Sequence, residues 1–174
     1  MIQGRQYEFS VSGALYKRNL LLYDRQTESL WSQLLSEAVS GPLAGTRLSV
    51  LPAENTTWGA WKTTHPRTLA LSFVTGYRRN YQLDPYAAYP LSRHPALLVS
   101  VEGVVKIYPF AELKKESSPV VDQVNGRAVT IVFNKESETA RVVGAEPAIT
   151  WFVGFVHDLK TVYHEAPIYR GARN

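Results

Sequence analysis

Short alternating or apolar runs, separated by turn residues, fill the first third of the chain. Residues 6–12 alternate apolar and polar side chains, which is the pattern of a half-buried strand. Leu20–Tyr23 is short and apolar, and we predict that it pairs with the first strand in a hairpin. Ser29–Gln33 and Arg47–Leu51 are predicted as further strands.

The middle of the chain carries one helical signal. Thr56 or Thr57 can cap a short helix, and Trp58 and Trp61, three residues apart, would share one of its faces. His65, which precedes a proline, marks its end.

The helix is followed by a predicted strand, Thr68–Phe73, and then by a stretch without periodicity. Residues 76–93 are rich in Tyr, Pro, Arg and Asp. A connection of this length is unusual in a compact domain and is usually functional or wraps the core.

Hairpin signals dominate the last third. Leu97–Tyr108 reverses direction at a glycine, and Val120–Phe133 does so at Asn125-Gly126, the dipeptide that favours a type I′ turn. Ile149–Val156 is an apolar run that fits a buried strand or a helix segment, and we favour the strand.

These patterns predict about ten strands, two or three short helices and no βαβ alternation. The expected fold class is mainly β, α+β at most, with antiparallel sheets in a meander. We expect residues 1–166 to form one domain and residues 167–174 to form a basic, frayed tail.

Composition narrows the function classes. The formal net charge of the 174 residues is +4, but the basic residues are scattered, so we expect no nucleic-acid partner. The absence of cysteine excludes disulfides, thiolate metal sites and cysteine nucleophiles within this chain. We find no signal peptide and no apolar run long enough to span a membrane, and the sequence does not indicate the compartment.

The densest polar chemistry lies between Tyr23 and Gln33. Asp24 and Arg25 could form a carboxylate oriented by a guanidinium and facing a ligand, or a turn in which Asp24 caps backbone amides. Gln26 and Gln33 could bind a polar ligand or satisfy backbone groups.

Aromatic and histidine residues are the second set of candidates. Trp31, Trp58 and Trp61, with tyrosines of the 76–93 stretch, could stack on a ligand or simply pack. The four histidines show no metal-ligand spacing, so we predict no metal site and name no cofactor.

Several motifs together resemble the prokaryotic family known as domain of unknown function 3179. They are Phe9-Ser10-Val11-Ser12-Gly13-Ala14-Leu15-Tyr16, Asn19 to Thr27, Ser29 to Gln33, Gly41 to Thr46, Leu51-Pro52, Thr56-Thr57-Trp58, Trp61, His65-Pro66, Asp84-Pro85-Tyr86, Lys106-Ile107-Tyr108-Pro109 and Val121-Asp122. The resemblance covers most of the chain and implies no established reaction. Family members typically carry an upstream half with a Cys-Pro-x-Cys-Gly-like stretch. We expect this chain to lack that half.

We therefore predict a polar-ligand-binding module with an aromatic, arginine-lined pocket. The alternatives are a metal-dependent or hydrolytic enzyme that uses Asp24 and His65, and an interaction module that pairs through an open sheet edge, including a homo-oligomer. The candidate ligand-binding residues are Tyr23, Asp24, Arg25, Gln26, Trp31, Gln33, Trp58, Trp61, His65, Arg79, Tyr81 and Tyr86.

Overall fold

A computed structural model describes residues 2, 4–51, 53–71, 94–144 and 148–171. Within these ranges the chain forms ten strands and three short helices, so the predicted mainly β fold is confirmed. The strands are β1 (Phe9–Tyr16), β2 (Asn19–Asp24), β3 (Leu30–Ser32), β4 (Glu37–Ser40), β5 (Pro95–Val101), β6 (Val104–Pro109), β7 (Val120–Val124), β8 (Arg127–Asn134), β9 (Thr139–Val143) and β10 (Ile149–Phe155). The helices are α1 (Trp58–Thr64), α2 (Phe110–Leu113) and α3 (Val156–Val162).

The strands form three antiparallel sheets. The first sheet has the order β1-β2-β3-β4, the central sheet β10-β5-β6 and the third sheet β7-β8-β9. Each sheet is made largely of chain neighbours joined by tight turns. The β7–β8 turn has positive φ at both Asn125 and Gly126, as the Asn-Gly signal predicts.

β5, the middle strand of the central sheet, packs against other elements on both faces. Leu97, Val99 and Val101 pack against the third sheet in the larger core. Ala96 and Leu98, which alternate with them along β5, pack against Leu159 of α3. The apolar run of β5 at residues 96–99 reflects this burial on two sides.

The first sheet has a small core of its own, made by Ile2, Trp31 and Ala38. It reaches the rest of the structure through Leu34, which packs beside the central sheet and whose carbonyl accepts a 2.6 Å hydrogen bond from the Tyr163 hydroxyl.

Three expectations from sequence differ from the structure. Arg47–Leu51 is not a strand: Arg47 makes an isolated bridge to Glu37, and the residues after it form no ladder. The described part of the Thr68–Phe73 segment, residues 68–71, is also not a strand. Residues 167–169 do not fray, because Ile168 forms a bridge with Ile107. The Ile107 amide donates a hydrogen bond to the Pro167 carbonyl, and the Ile107 carbonyl accepts one from the Tyr169 amide.

Candidate functional site

The segment from Tyr23 to Gln33 is organised around a buried carboxylate. Asp24 ends β2 and has no exposed surface. Its oxygens accept hydrogen bonds from the Thr27 backbone amide at 2.6 Å, the Thr27 hydroxyl at 2.9 Å and the Trp31 indole N–H at 2.9 Å. The donors compensate for the water that burial removes.

The pKa of Asp24 reflects this environment. Burial alone would raise it, but the hydrogen bonds from Trp31, Thr27 and the Gln26 backbone outweigh burial and hold the pKa below its usual value. Asp24 is therefore an ionised carboxylate whose bonding capacity is taken up within the protein.

The same turn is tied to the next loop. The buried Ser29 hydroxyl lies 2.7 Å from the Thr27 hydroxyl and accepts a 3.0 Å hydrogen bond from the Leu43 amide. Gly41 lies so close that a Cβ at this position would stand 2.7 Å from the Ser29 Cα. The 24–31 turn and the 41–43 loop therefore form one packed unit.

The remaining candidates in this segment lie at its edge. The Arg25 Nε donates to the Ser10 hydroxyl at 3.1 Å, and the Gln26 side-chain oxygen accepts from the Glu8 amide at 3.0 Å. Both residues are exposed and brace the start of β1. Tyr23 is half-buried and Gln33 is exposed.

A separate cleft of about 380 Å³ lies between α1 and the β8–β9 hairpin. Thr57 caps α1 by accepting a hydrogen bond from the Ala60 amide, and the helix ends at His65. The imidazole of His65 stacks on the Trp61 indole, with the ring centres 3.8 Å apart and the planes 8° from parallel. Both rings line the cleft, whereas Trp58 is exposed and does not.

The hairpin supplies the polar side of this cleft. Asn134, Thr139 and Arg141 line it, and Glu54 lies on the side of α1. The side-chain oxygen Oδ1 of Asn134 accepts hydrogen bonds from the backbone amides of Glu136 and Ser137, so the turn fixes the orientation of the carboxamide. These hairpin residues were not predicted from the sequence, since a polar residue facing outward from a strand gives no signal of what lies opposite.

The motifs Lys106-Ile107-Tyr108-Pro109 and Val121-Asp122, which carry part of the family resemblance, contact each other where β6 meets β7. The Lys106 ammonium on β6 lies 2.6 Å from the Asp122 carboxylate on β7, and the Tyr108 hydroxyl donates to the same oxygen at 2.9 Å. Burial, and then Asp122, raise the pKa of Tyr108 well above its usual value. The pKa of Asp122 is lowered, since the Lys106, Gln123 and Tyr108 bonds outweigh its burial. This cluster joins the central and third sheets.

The structure thus brings Trp61 and His65 together and places Asp24 and Trp31 in a different, internally satisfied network. Arg79, Tyr81 and Tyr86 lie outside the described residues. Among the residues that are described, no three His, Asp or Glu side chains come together as metal ligands. Within the same ranges no helix is long and apolar enough to cross a membrane.

Fold and cleft together define a mainly β protein with a polar, aromatic-walled cleft between a short helix and a β-hairpin. The chain belongs to the family described as protein of unknown function (DUF3179), whose model matches residues 1–164. Searches of the curated proteins and of the solved structures found no significant match.

Proposed function

We propose that this protein is a binding module for a small polar ligand and that the ligand binds in the cleft between α1 and the β8–β9 hairpin. The observation that carries the proposal is the Trp61–His65 stack, which lines the same cleft as Arg141. A cleft of about 380 Å³ lies in the size range of small-molecule sites, roughly 300 to 1,000 Å³.

The lining indicates the chemistry of the ligand. Stacked aromatic rings offer a rigid surface for a planar or sugar-like group, and Arg141 offers a charge-assisted hydrogen bond. Glu54, Asn134 and Thr139 add further polar partners. Of the residues predicted from sequence, Trp61 and His65 would contact this ligand directly.

The experiment is an NMR screen of the whole chain against nucleotides, sugar phosphates, amino acids and small dicarboxylates. We expect at least one compound to shift resonances of Trp61 and of the β8–β9 hairpin. Arg141→Gln and Trp61→Ala should each weaken its binding about tenfold, as the loss of a charge-assisted bond or an aromatic contact would.

Trp58→Ala is the matched control, since Trp58 is on the same helix but 46% exposed and outside the cleft. It should bind as the parent protein does. If no compound in the panel shifts these resonances, or if Arg141→Gln and Trp61→Ala bind every hit normally, the proposal is wrong.

The enzyme alternative has less support. It needs Asp24 and His65 to act on one substrate, but Asp24 is buried among Thr27 and Trp31 and does not line the His65 cleft.

The interaction alternative has one specific observation in its favour. Among the strands that the structure describes, β1 lies at the edge of its sheet, and Val11 and Leu15 on it are 64% and 69% exposed. We propose a second copy of this chain as the partner. Sedimentation velocity should then show a dimer that Val11→Lys dissociates; a monomer across the accessible concentration range would exclude it.

A further inference from the structure

A second cleft, of about 430 Å³, lies between the first sheet and the central sheet. It is separate from the α1 cleft, with which it shares no lining residue. Its floor is the face of the central sheet that carries Leu98, and one of its walls is the segment 47–50. That segment forms no ladder with the central sheet, so the space between them stays open.

The register of the central sheet gives the floor two different ends. Leu98 lies opposite Phe152, which makes an apolar row. Two residues along β5, Ser100 lies opposite Thr150 on one side and Val105 on the other. The floor therefore passes from apolar side chains to a pair of hydroxyl-bearing residues within one strand repeat.

One cation stands on the wall of this cleft. The Arg47 Nε donates to the Glu37 carboxylate at 3.0 Å, while its side chain remains 77% exposed. A guanidinium has five N–H donors, so this bond leaves most of them for another acceptor. Tyr163 also lines this cleft, and its hydroxyl donates a 2.6 Å hydrogen bond to the Leu34 carbonyl of the first sheet.

We propose that this second cleft binds an amphiphilic carboxylate, with its apolar body on Leu98, Val105 and Phe152 and its carboxylate on Arg47. The planar guanidinium matches a carboxylate, and the apolar floor gains from every methylene that leaves water. An amphiphilic cation is disfavoured, because the Glu37 side chain is only 26% exposed, against 77% for Arg47, and is the less accessible of the two charges.

The test uses three probes with one alkyl chain and different head groups: octanoate, octanol and octylammonium. Binding to the whole chain is followed by methyl NMR of Leu and Val. Octanoate should shift Leu98 and Val105 and bind more tightly than the other two probes. Arg47→Gln should weaken octanoate about three- to fivefold, as expected for a solvent-exposed pair, and leave octanol unchanged. Arg5→Gln, at an exposed arginine outside the cleft, should change neither.

A second pair of variants tests the floor without touching charge. Val105→Phe should fill the cleft and weaken both octanoate and octanol. Val104→Phe, one residue earlier and on the opposite face of β6, should not. Equal binding of octanoate and octylammonium, no effect of Arg47→Gln, or shifts that avoid Leu98 and Val105 would each overturn the proposal. None of these outcomes depends on the α1 cleft.

Discussion

A carboxylate without solvent contact stays charged only where donors replace its water. Asp24 meets this condition through the Thr27 amide and hydroxyl and the Trp31 indole, with a further bond from the Gln26 backbone. An amide in its place would turn an N–H group towards those donors and lose part of their bonding.

We therefore expect Asp24→Asn to lower the free energy of unfolding by about 2 to 4 kcal/mol. Glu28→Gln, an exposed change in the same turn, is the control and should stay within about 0.5 kcal/mol of the parent. Urea unfolding at pH 7 measures both. An Asn variant as stable as the control would show that the network is not stabilising.

The lowered pKa of Asp24 also predicts how stability depends on pH. A carboxyl group with a lower pKa in the folded than in the unfolded state stabilises the fold above the unfolded value of about 3.9. That contribution is lost as the pH falls through the folded pKa.

Between pH 5 and pH 2.5, the free energy of unfolding of the parent should therefore fall more steeply than that of Asp24→Asn. Glu28→Gln should keep the steep dependence of the parent. Parallel curves for parent and Asp24→Asn would contradict the pKa assignment.

Among the elements, the contact between the 24–31 turn and the 41–43 loop sets a strict steric demand. Gly41 has φ +92° and touches Ser29, whereas Gly45 has φ +84° and open space around it. The two glycines share the left-handed conformation and differ in crowding.

Gly45→Ala should cost about 1 kcal/mol of stability, from backbone strain alone. Gly41→Ala should cost about 3 kcal/mol, because the methyl group also meets the Ser29 backbone. Thermal or urea unfolding of the two variants separates strain from steric clash; equal losses would mean that the loop moves to accept the methyl group.

Local patterns explain which elements were predictable. The Asn125-Gly126 hairpin and the capped α1 carry their signals within a few residues. α3 carries no such local signal. It begins directly after β10, and Phe155 at its start makes no side-chain cap hydrogen bond, so the apolar sequence does not show where the strand ends and the helix begins. Arg47–Leu51 has a strand-like pattern, but in the described structure no neighbouring strand forms a hydrogen-bonded ladder with it.

The candidate site residues also differ in whether a local sequence pattern could predict them. Sequence drew attention to Trp61 and His65, which are four residues apart and meet on one helix end. It could not foresee Arg141, which reaches the same cleft only through folding. It also grouped Asp24 with the ligand contacts, since a sequence shows a carboxylate but not the donors that enclose it.

At the scale of the whole molecule, burial is uneven. In the part of the chain that the structure describes, β5 lies in the middle of the central sheet and is almost completely buried, whereas β1 is an exposed edge strand of the first sheet. Local opening requires less free energy where fewer apolar contacts are lost.

Native-state hydrogen exchange should therefore show the slowest amides in β5 and faster exchange in the hydrogen-bonded amides of β1. The exchange of β5 should approach the global unfolding limit. Uniform protection of both strands would show that the first sheet opens only with the rest of the protein.

The pairing of Ile168 with Ile107 has a practical consequence for the choice of a C-terminal truncation. The family match ends at residue 164, but Ala166 is buried in the core and the backbone of Ile107 is bonded to Pro167 and Tyr169. A truncation at the family boundary would remove the segment that pairs with β6 and would expose the core beneath α3. A chain that ends beyond Gly171 retains the pairing of β6 with residues 167–169.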